Sequence, residues 1–282
     1  MQYLSNISIE ELTSFAQTGI IKHLYILNSK LDILNFFDNH DAWFILGKGS
    51  NSLILDSALT IPFIKLGKAF QSIAYQNGYV YAKAGTSVPQ LMAFSQKEGL
   101  SGLEFMSGVP ASLGGMIAMN FGCWDRCMKD IVESVDVFIP KKGFVTFTNE
   151  ECNFDYRSSL FQSLNGLIIG AKLAISHSNS KAVKETINRY VSERLQKQPM
   201  RLATFGSIFK NPPSSSAALL IDRAGLKGYQ YPRVRISTAH ANFMENKGKA
   251  SSKEALDLIQ HIQQDIYNRY NVTLIPEVHI FQ

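Results

Sequence analysis

The sequence has few cysteines. Only Cys123, Cys127 and Cys152 occur in 282 residues. Three unevenly spaced thiols are too few for a disulfide framework or a complete zinc site. We therefore expect reduced, partly buried thiols and no metal centre.

Long hydrophobic runs are also absent, because no uninterrupted apolar stretch approaches the roughly 20 residues that a membrane helix requires. The N-terminal segment MQYLSNISIEELTSF lacks the cationic stretch and apolar core of a signal peptide. We therefore expect a cytoplasmic protein that does not insert into a membrane.

Blocks of like charge are missing as well. Lys and Arg exceed Asp and Glu by 28 to 23, giving a net charge of +5, yet the basic residues are spread along the chain. This favours small anionic ligands slightly over nucleic acid, although a mildly basic, solvated surface explains it equally well. With 45% hydrophobic and 18% charged residues, the composition is that of a globular protein large enough for two or three modest domains.

The most informative feature present is a glycine-rich turn between apolar runs, WFILGKGSNSLILDS, at residues 43–57. A Rossmann fingerprint would need Gly where Ser52 stands, and a Walker loop fails because Lys48 is followed by Gly49. A strand–turn–strand unit remains. Its turn forms either a backbone nest for an anion or an ordinary tight hairpin, and this stretch alone does not decide between them.

Along the rest of the chain, short strands and capped helices alternate irregularly. Capping-box spacing predicts helix starts at Ser8–Glu11, Ser87–Gln90 and Ser251–Glu254, and apolar periodicity predicts a helix in the segment 180–199. The predicted strands are WFIL, LIL, FIKL, YVYAKAG, SVDVFI, FVTFT, LIIGAKLAI and TLIPEVHIF. This irregular alternation predicts the α+β class rather than a doubly wound parallel sheet.

A second glycine-rich segment, GLEFMSGVPASLGGMIAMNFG, follows at residues 102–122. Two separate nests can hold the two ends of a long diphosphate cofactor, which strengthens the anion-site interpretation of the first turn. Further motifs follow in order: FDYRSSLF at 154, GSIFKNP at 206, GLKG at 225, HANF at 240 and PEVHI at 276. From about residue 40 onward, this series resembles the bacterial UDP-N-acetylenolpyruvoylglucosamine reductase family, MurB.

The resemblance implies a vanillyl-alcohol-oxidase-type FAD-binding fold. We expect FAD-binding subdomains at residues 1–76 and 77–200, the latter with the returning strand 272–282, and a substrate subdomain at 201–271. The implied reaction uses NADPH and non-covalently bound FAD to reduce the enolpyruvyl ether of a UDP-sugar to UDP-N-acetylmuramate in peptidoglycan precursor synthesis. A monomer is expected. Two alternatives stay open: an FAD oxidoreductase of this fold with another substrate, and a non-catalytic sugar-nucleotide sensor.

The same resemblance implies the functional residues. Arg157 is similar to the residue that stabilises charge on the enolpyruvyl carboxylate, Ser207 to the proton donor, and Glu277 to the carboxyl group that assists. The implied substrate contacts are Tyr156, Arg201 and Asn211. For His240 two roles stay open, a contact with NADPH or substrate and a structural role. The implied FAD-binding residues are Gly47, Lys48, Gly49, Ser50, Asn51, Ser52, Gly85, Gly108, Val109, Pro110, Ser112, Gly114, Gly115 and Asn120.

The chain also departs from the family pattern. Ala111 stands where the family usually has Gly, and NFGCWD replaces NAGAYG, which brings in Phe121 and Trp124. The segment 232–234, Pro-Arg-Val, stands where Gly-Gly-Ala is common. The interval between the YRSS and GSIF motifs suits the short type of the family, without the extra tyrosine-bearing loop, so Tyr190 is interpreted as a packing residue.

Overall fold

The computed structural model describes residues 1–282. The chain divides into two compact units that each draw on separate segments. Unit 1 comprises Met1–Tyr3, Tyr25–Lys48 and Phe63–Glu193, and unit 2 comprises Leu4–Leu24, Gly49–Pro62 and Arg194–Gln282. The three subdomains expected from the resemblance are a different division of the chain, and they stay a prediction.

The chain contains both helices and strands, as the α+β prediction requires. The helices are α1 (Lys30–Asn39), α2 (Val88–Glu98), α3 (Leu113–Ala118), α4 (Ser180–Lys197), α5 (Ala217–Arg223) and α6 (Ser252–Tyr270). The strands are β1 (Gln2–Ser8), β2 (Ile20–Leu27), β3 (Phe44–Ile45), β4 (Ser52–Ile54), β5 (Phe63–Leu66), β6 (Ile73–Gln76), β7 (Tyr79–Lys83), β8 (Leu100–Ser101), β9 (Gly122–Cys123), β10 (Arg126–Cys127), β11 (Val132–Ile139), β12 (Gly143–Thr148), β13 (Leu167–Ala174), β14 (Ser176–His177), β15 (Gln230–Tyr231), β16 (Val234–Ile236), β17 (Met244–Asn246) and β18 (His279–Phe281).

Unit 1 is built on a five-stranded antiparallel sheet in the order β12-β11-β13-β7-β6. Its central strand β13 is almost wholly buried, which explains its continuous apolar sequence. The side chains of α2 and α3 share one apolar cluster with this sheet. A smaller cluster joins α1 to Ile64 on β5, the strand that pairs in parallel with β3 just before the glycine-rich turn.

Unit 2 packs α5 and α6 with the three-stranded sheet β15-β16-β17 around a second apolar cluster. Helix α6 starts at a complete capping box formed by Ser251 and Glu254 and ends at Asn271 in the left-handed conformation. The last strand, β18, pairs in parallel with β4, so that His279 lies beside Ser52. This pairing brings the PEVHI motif to the strand that follows the glycine-rich turn.

The helix predictions were mostly right. Helix α2 has the predicted Ser87–Gln90 capping box and ends at Gly99 with φ of 65°, and α4 and α6 occupy the predicted segments. The capping box at Ser8 was wrong, because Ser8 ends strand β1, makes no capping hydrogen bond and precedes only a 3-10 turn. None of the helices combines the length and the apolar composition that crossing a membrane would require.

Candidate functional site

The glycine-rich turn at residues 47–51 does not close a hairpin. Strand β3 before it pairs with β5, whereas β4 after it pairs with β18 in another sheet. The hairpin alternative is therefore wrong. The turn connects strands of two different sheets, so β3 and β4 do not form a hydrogen-bonded ladder with each other.

Both glycines of this turn have another residue close to the position of their missing Cβ atom. Gly49 has φ of 66°, and a Cβ atom added there would lie 2.2 Å from the carbonyl oxygen of Leu12. Its own carbonyl accepts a hydrogen bond from the Ser14 amide at 3.0 Å. A Cβ atom at Gly47 would lie 2.8 Å from the Ser112 hydroxyl oxygen. The two glycine-rich segments therefore meet at Gly47 and Ser112, within unit 1.

In the second segment, several glycines serve packing. The Gly114 amide donates to the carbonyl of Ala84 at 2.9 Å, and a Cβ atom on Gly114 would lie 3.1 Å from the Ala84 Cβ. At Gly85 an added Cβ would lie 2.7 Å from the Phe70 carbonyl oxygen. Gly85 needs glycine because the Phe70 backbone passes so close, whereas at Gly114 the room beside Ala84 is only narrow. Gly115 is exposed at this edge, with only Ser112 Oγ near its missing Cβ.

Ala111, one of the departures from the family pattern, causes no backbone strain. Ala111 does not have a positive φ, whereas Gly108 has φ of 80°. The Ala111 methyl group is buried, and its carbonyl accepts the first amide of α2 from Val88 at 3.0 Å. The left-handed conformation in this loop therefore falls on Gly108, and a side chain is tolerated at 111.

The charges beside the first turn suit an anion. Lys48 is exposed in the turn, and Lys65 is half-buried on β5. Burial, and secondly the charge of Lys48, lowers the pKa of Lys65 to about 8. Cationic groups beside exposed backbone form a donor set that fits the diphosphate of FAD. Lys48, Gly47 and Ser112 of unit 1 would hold that group, while Gly49, Ser50 and Asn51 belong to unit 2.

Arg157 lies at the tip of a tight turn in unit 1. The backbone groups of Asp155 and Ser158 exchange hydrogen bonds of 3.0 and 3.1 Å, leaving Tyr156 and Arg157 as the two turn residues. Arg157 has φ of 51°, a strained value for a residue with a long side chain. Its guanidinium carbon lies 5.5 Å from the ring centroids of both Phe121 and Tyr156.

Asn120 fixes this turn in place. Its side chain donates to the Asp155 carbonyl at 2.8 Å and accepts from the Lys129 amide at 2.9 Å. Asn120 is buried, and it is one of the residues that the resemblance implied as FAD contacts. In the structure its visible role is to hold the Arg157 turn, and the cofactor contact stays a prediction.

The departure at NFGCWD forms a second tight turn next to Arg157. Cys123 and Arg126 pair, so Trp124 and Asp125 are the turn residues, with φ of 52° and 57°. The Trp124 ring stacks on Tyr190 of α4 at 4.0 Å between centroids, and its Nε1 donates to Glu193 at 3.0 Å. Tyr190 is therefore a packing residue, as expected. The assignment to the short type of the family stays a prediction.

Ser207 and Glu277 lie on neighbouring segments of unit 2. Phe209 pairs with Pro276, and the amides of Glu277 and Val278 both point to the Ile208 carbonyl, at 2.8 and 3.4 Å. Two successive amides sharing one carbonyl is the pattern of a β-bulge, which changes the direction of side chains next to it. The Asn51 side chain donates to the Glu277 carbonyl at 3.1 Å, so the glycine-rich turn is joined directly to this segment.

The sequence prediction missed Asn242, a residue that positions Ser207. Its buried side chain accepts from the Phe209 amide at 3.0 Å and donates to the Phe209 carbonyl at 2.8 Å. Its carbonyl also accepts the Ile208 amide at 2.8 Å. Asn242 of the HANF motif therefore holds the segment that carries Ser207. A buried asparagine beside an apolar run was the signal available in the sequence, since a buried amide must find partners.

His240 acts structurally in this conformation. Its Nδ1 accepts from the Asn242 amide at 3.2 Å, and its ring packs edge-on against Phe243. Burial, followed by the charge of Lys227, lowers the pKa of His240. The imidazole is therefore neutral at neutral pH and completes the HANF turn.

The predicted substrate contacts are not all brought together. The Asn211 side chain accepts the Ala217 amide at the start of α5, at 3.0 Å. Arg201 lies exposed in the turn after α4. Tyr156 is 50% exposed beside Arg157. None of these observations tests a substrate contact, so all three assignments stay predictions.

The Pro-Arg-Val departure forms the tight link between β15 and β16. Tyr231 pairs with Val234, so Pro232 and Arg233 are the two turn residues. The Arg233 Nε lies 3.3 Å from the Glu254 carboxylate in the first turn of α6, and its Nη1 donates to the Lys249 carbonyl at 3.2 Å. The departure therefore fastens this hairpin to the start of α6.

Comparison with known proteins identifies the family. The model of the UDP-N-acetylenolpyruvoylglucosamine reductase C-terminal domain matches residues 198–281, and that of an FAD binding domain matches residues 31–148. The reductase of that name from Bacillus subtilis is 35% identical over 251 residues, which cover 88% of this chain and 83% of the relative. The chain belongs to the UDP-N-acetylenolpyruvoylglucosamine reductase family.

Other members agree with this assignment along nearly the whole chain. The reductase from Caldanaerobacter subterraneus subsp. tengcongensis is 32% identical over 272 residues, covering 95% of this chain and 90% of the relative. The crystal structure of the MurB protein from Thermus caldophilus superposes with a TM-score of 0.85 at 30% identity, covering 100% of this chain and 98% of that one. The predicted MurB-type fold with an FAD-binding domain is thus confirmed.

Proposed function

We propose that this chain catalyses the NADPH-dependent, FAD-mediated reduction of UDP-N-acetylglucosamine enolpyruvate to UDP-N-acetylmuramate, a step of peptidoglycan precursor synthesis. Family membership supports the reaction. The observation that carries it in this chain is the bulged pairing that sets Glu277 beside the segment carrying Ser207. When bound, FAD supplies the hydride chemistry that amino-acid side chains lack. NADPH and the UDP-sugar are the partners, and we propose a cytoplasmic monomer with non-covalently bound FAD.

We assign charge stabilisation to Arg157. Reduction of an enolpyruvyl group places negative charge on the substrate carboxylate as it becomes an enolate. A planar guanidinium donates two parallel hydrogen bonds to such a group and stays charged at all relevant pH values. The strained backbone of Arg157 and its two aromatic neighbours support a fixed orientation of the side chain, since strain of this kind gathers at functional sites.

We assign the proton transfer to Ser207, assisted by Glu277. A serine hydroxyl is a weak acid, so it needs a neighbouring group that supports loss and return of its proton. The bulge at Glu277 and the clamp from Asn242 support a fixed placement of both segments. The predicted FAD and substrate contacts, together with the three subdomains, belong to this proposal.

An anaerobic pair of half-reactions tests the function. The purified protein is first mixed with NADPH, and bleaching of the flavin absorbance is followed. The enolpyruvyl UDP-sugar is then added, and we expect the absorbance to return. Reduction without reoxidation by this substrate would point to an oxidoreductase with another substrate. Absence of both half-reactions, with the UDP-sugar still binding, would point to a sensor.

Replacing Ser207 by Ala separates the two half-reactions. We expect normal FAD content and near-normal reduction by NADPH, but reoxidation slowed by about a hundredfold or more, because the general acid is lost. Stopped-flow absorbance measures both rates. Ser214→Ala, at an exposed serine of the same unit, should leave both unchanged. Parent-like reoxidation in Ser207→Ala would remove Ser207 from the mechanism.

Arg157→Lys tests the guanidinium. Lys keeps the positive charge but loses the forked pair of donors, so we expect slower reoxidation, with reduction by NADPH preserved. Arg189→Lys provides a control, because this arginine also lies near an aromatic ring, that of Tyr190. Equal effects of the two substitutions would show that Arg157 acts only through packing.

A further inference from the structure

Lys65 lies directly beside the glycine-rich turn. Strands β3 and β5 run in parallel with Ile45 opposite Ile64, and the Leu46 amide donates to the Ile64 carbonyl at 2.9 Å. Lys65 therefore follows the last backbone hydrogen bond before the chain enters the turn at Gly47. On its other side, the Leu66 Cβ lies 3.4 Å from the Cβ position of Gly85. Lys65 thus lies between Ile64, whose carbonyl accepts the hydrogen bond just before Gly47, and Leu66, which lies beside Gly85; Gly47 and Gly85 are two of the unit 1 glycines assigned to the cofactor.

The pleat of β5 directs Lys65 away from the apolar cluster that contains α1. Successive side chains on a strand point to opposite faces. Ile64 and Leu66 both pack into the apolar cluster with α1. The Lys65 side chain between them therefore belongs to the other face of β5, where it is half-buried. A lysine in such a position needs either water or an anion for its ammonium group.

The protein supplies no anion for this lysine. No ion pair or side-chain hydrogen bond to Lys65 or Lys48 is present, and the only charge that shifts the pKa of Lys65 is the repelling charge of Lys48. Strand β3 and Leu46 contribute only apolar groups on one side. On the β2 side, the hydroxyl of Tyr25 lies 3.3 Å from His40 Nε2, and Lys68 after β5 is exposed. Two cations therefore lie close enough to repel one another, and neither has a carboxylate partner.

We propose that Lys65 binds the diphosphate of FAD, together with Lys48 and the backbone of the glycine-rich turn. This inference rests on the proposed function and adds a residue that neither glycine-rich segment contains. A diphosphate carries two negative charges on oxygens that accept strong hydrogen bonds from ammonium groups. A bound diphosphate supplies the negative charge that no protein group provides near Lys65. Lys65 therefore destabilises the flavin-free protein and stabilises the FAD-bound protein.

Lys65→Met tests the proposal, because it should raise the stability of the flavin-free chain and lower the affinity for FAD. Met retains the length of the stem without charge, so the flavin-free full chain should melt at a higher temperature than the parent. The same variant should bind FAD about ten- to a hundredfold more weakly, since a charge-assisted contact is lost. Release of FAD from the diluted holoprotein, followed by flavin fluorescence, measures the affinity. Lys65→Arg should stay close to the parent, and Lys68→Met, at an exposed position, should change neither quantity.

The outcomes separate this inference from the proposed function. A parent protein that does not bind FAD would contradict the proposed function itself. FAD binding by the parent, with Lys65→Met within about twofold of it, would overturn only the role of Lys65. A flavin-free Lys65→Met that melts at a lower temperature would show that Lys65 supports the fold instead. If Lys65→Met does not fold, Lys65→Gln is measured in the same way, with the same expected changes.

Discussion

At the residue scale, Gly49 is the position that least tolerates a side chain. Its φ is 66°, and an added Cβ would lie 2.2 Å from the carbonyl oxygen of Leu12 and 2.8 Å from the Cα of Thr13. Backbone atoms cannot move aside as a side chain can. We therefore expect Gly49→Ala to lower the free energy of unfolding by about 3 kcal/mol, combining the left-handed penalty with the overlap. Urea denaturation measures the change.

Gly78 provides a matched control for that substitution. It has φ of 80° in the link between β6 and β7, but nothing lies within 4 Å of its missing Cβ. Gly78→Ala should therefore cost only about 1 kcal/mol, the penalty of the conformation itself. Equal losses in the two variants would contradict the claim that the Leu12 contact matters at Gly49.

Single residues also show how far the sequence could predict the site. The close approach at Gly47 was predictable because a turn between apolar runs limits the choice of residue, whereas the roles that the family motifs implied for Ser207 and Glu277 stay predictions. The positive φ of Arg157 was not predictable, since it results from the hydrogen bonds that close the Asp155–Ser158 turn. The Asn242 clamp was missed because its partner, Phe209, lies 33 positions away in the sequence.

At the element scale, the start of helix α6 combines a capping box with an ion pair from another hairpin. The Ser251 hydroxyl accepts from the Glu254 amide at 3.2 Å, and Glu254 accepts from the Ser251 amide at 2.8 Å. Ser251→Ala should lower the free energy of unfolding by about 1 kcal/mol at neutral pH. Denaturation in urea measures the loss, and Ser192→Ala, at an exposed position within α4, should have almost no effect.

The contribution of Ser251 should depend on pH. Burial would raise the pKa of Glu254, but hydrogen bonds from Ser251 and the charge of Arg233 lower it overall. The folded-state pKa therefore lies below the unfolded one, so this stabilisation is present above the unfolded pKa and is lost as pH falls through the folded pKa. The difference between the parent and Ser251→Ala should shrink in acid. A difference that grows there would contradict the role of the Glu254 charge.

Elements with strong end signals were the predictable ones. Helices α2 and α6 were found because Ser, Gln or Glu, and a left-handed C-terminal residue mark their limits. Strands β1 and β2 and helix α1 were not predicted. In β2 the buried residues Ile21, Leu24 and Leu27 recur every third position instead of alternating, and Ile20 is 47% exposed. The last strand begins only at His279, three residues after Pro276, which has no amide to donate.

At the scale of the whole molecule, cofactor binding should be coupled to proton uptake. Burial beside Lys48 lowers the pKa of Lys65 to about 8 in the flavin-free chain, and a bound diphosphate would raise it again. Above about pH 8, FAD must therefore bind together with a proton, and its affinity should fall by up to about tenfold per pH unit. Flavin fluorescence titrations at about pH 7 and about pH 9.5 measure this.

The folding stability of the flavin-free chain should change with pH in the opposite direction to its FAD affinity. Its folded-state pKa at Lys65 is lower than the unfolded value, so its stability should rise with pH between the two. Lys65→Met should remove both trends, because no group titrates at that position. A pH profile of FAD affinity that is identical in Lys65→Met would assign the proton to another group.

The parallel pairing of β18 with β4 has a consequence for how the protein is made. His279, Ile280 and Phe281 are the only strand partners of Ser52, Leu53 and Ile54. During translation, β4 leaves the ribosome long before its partner has been synthesised, and its apolar edge has no strand to pair with in the meantime. Unpaired apolar edges invite association with other nascent chains. We therefore expect the glycine-rich turn to reach its final form only after synthesis has passed residue 281, with chaperones covering the exposed strand until then.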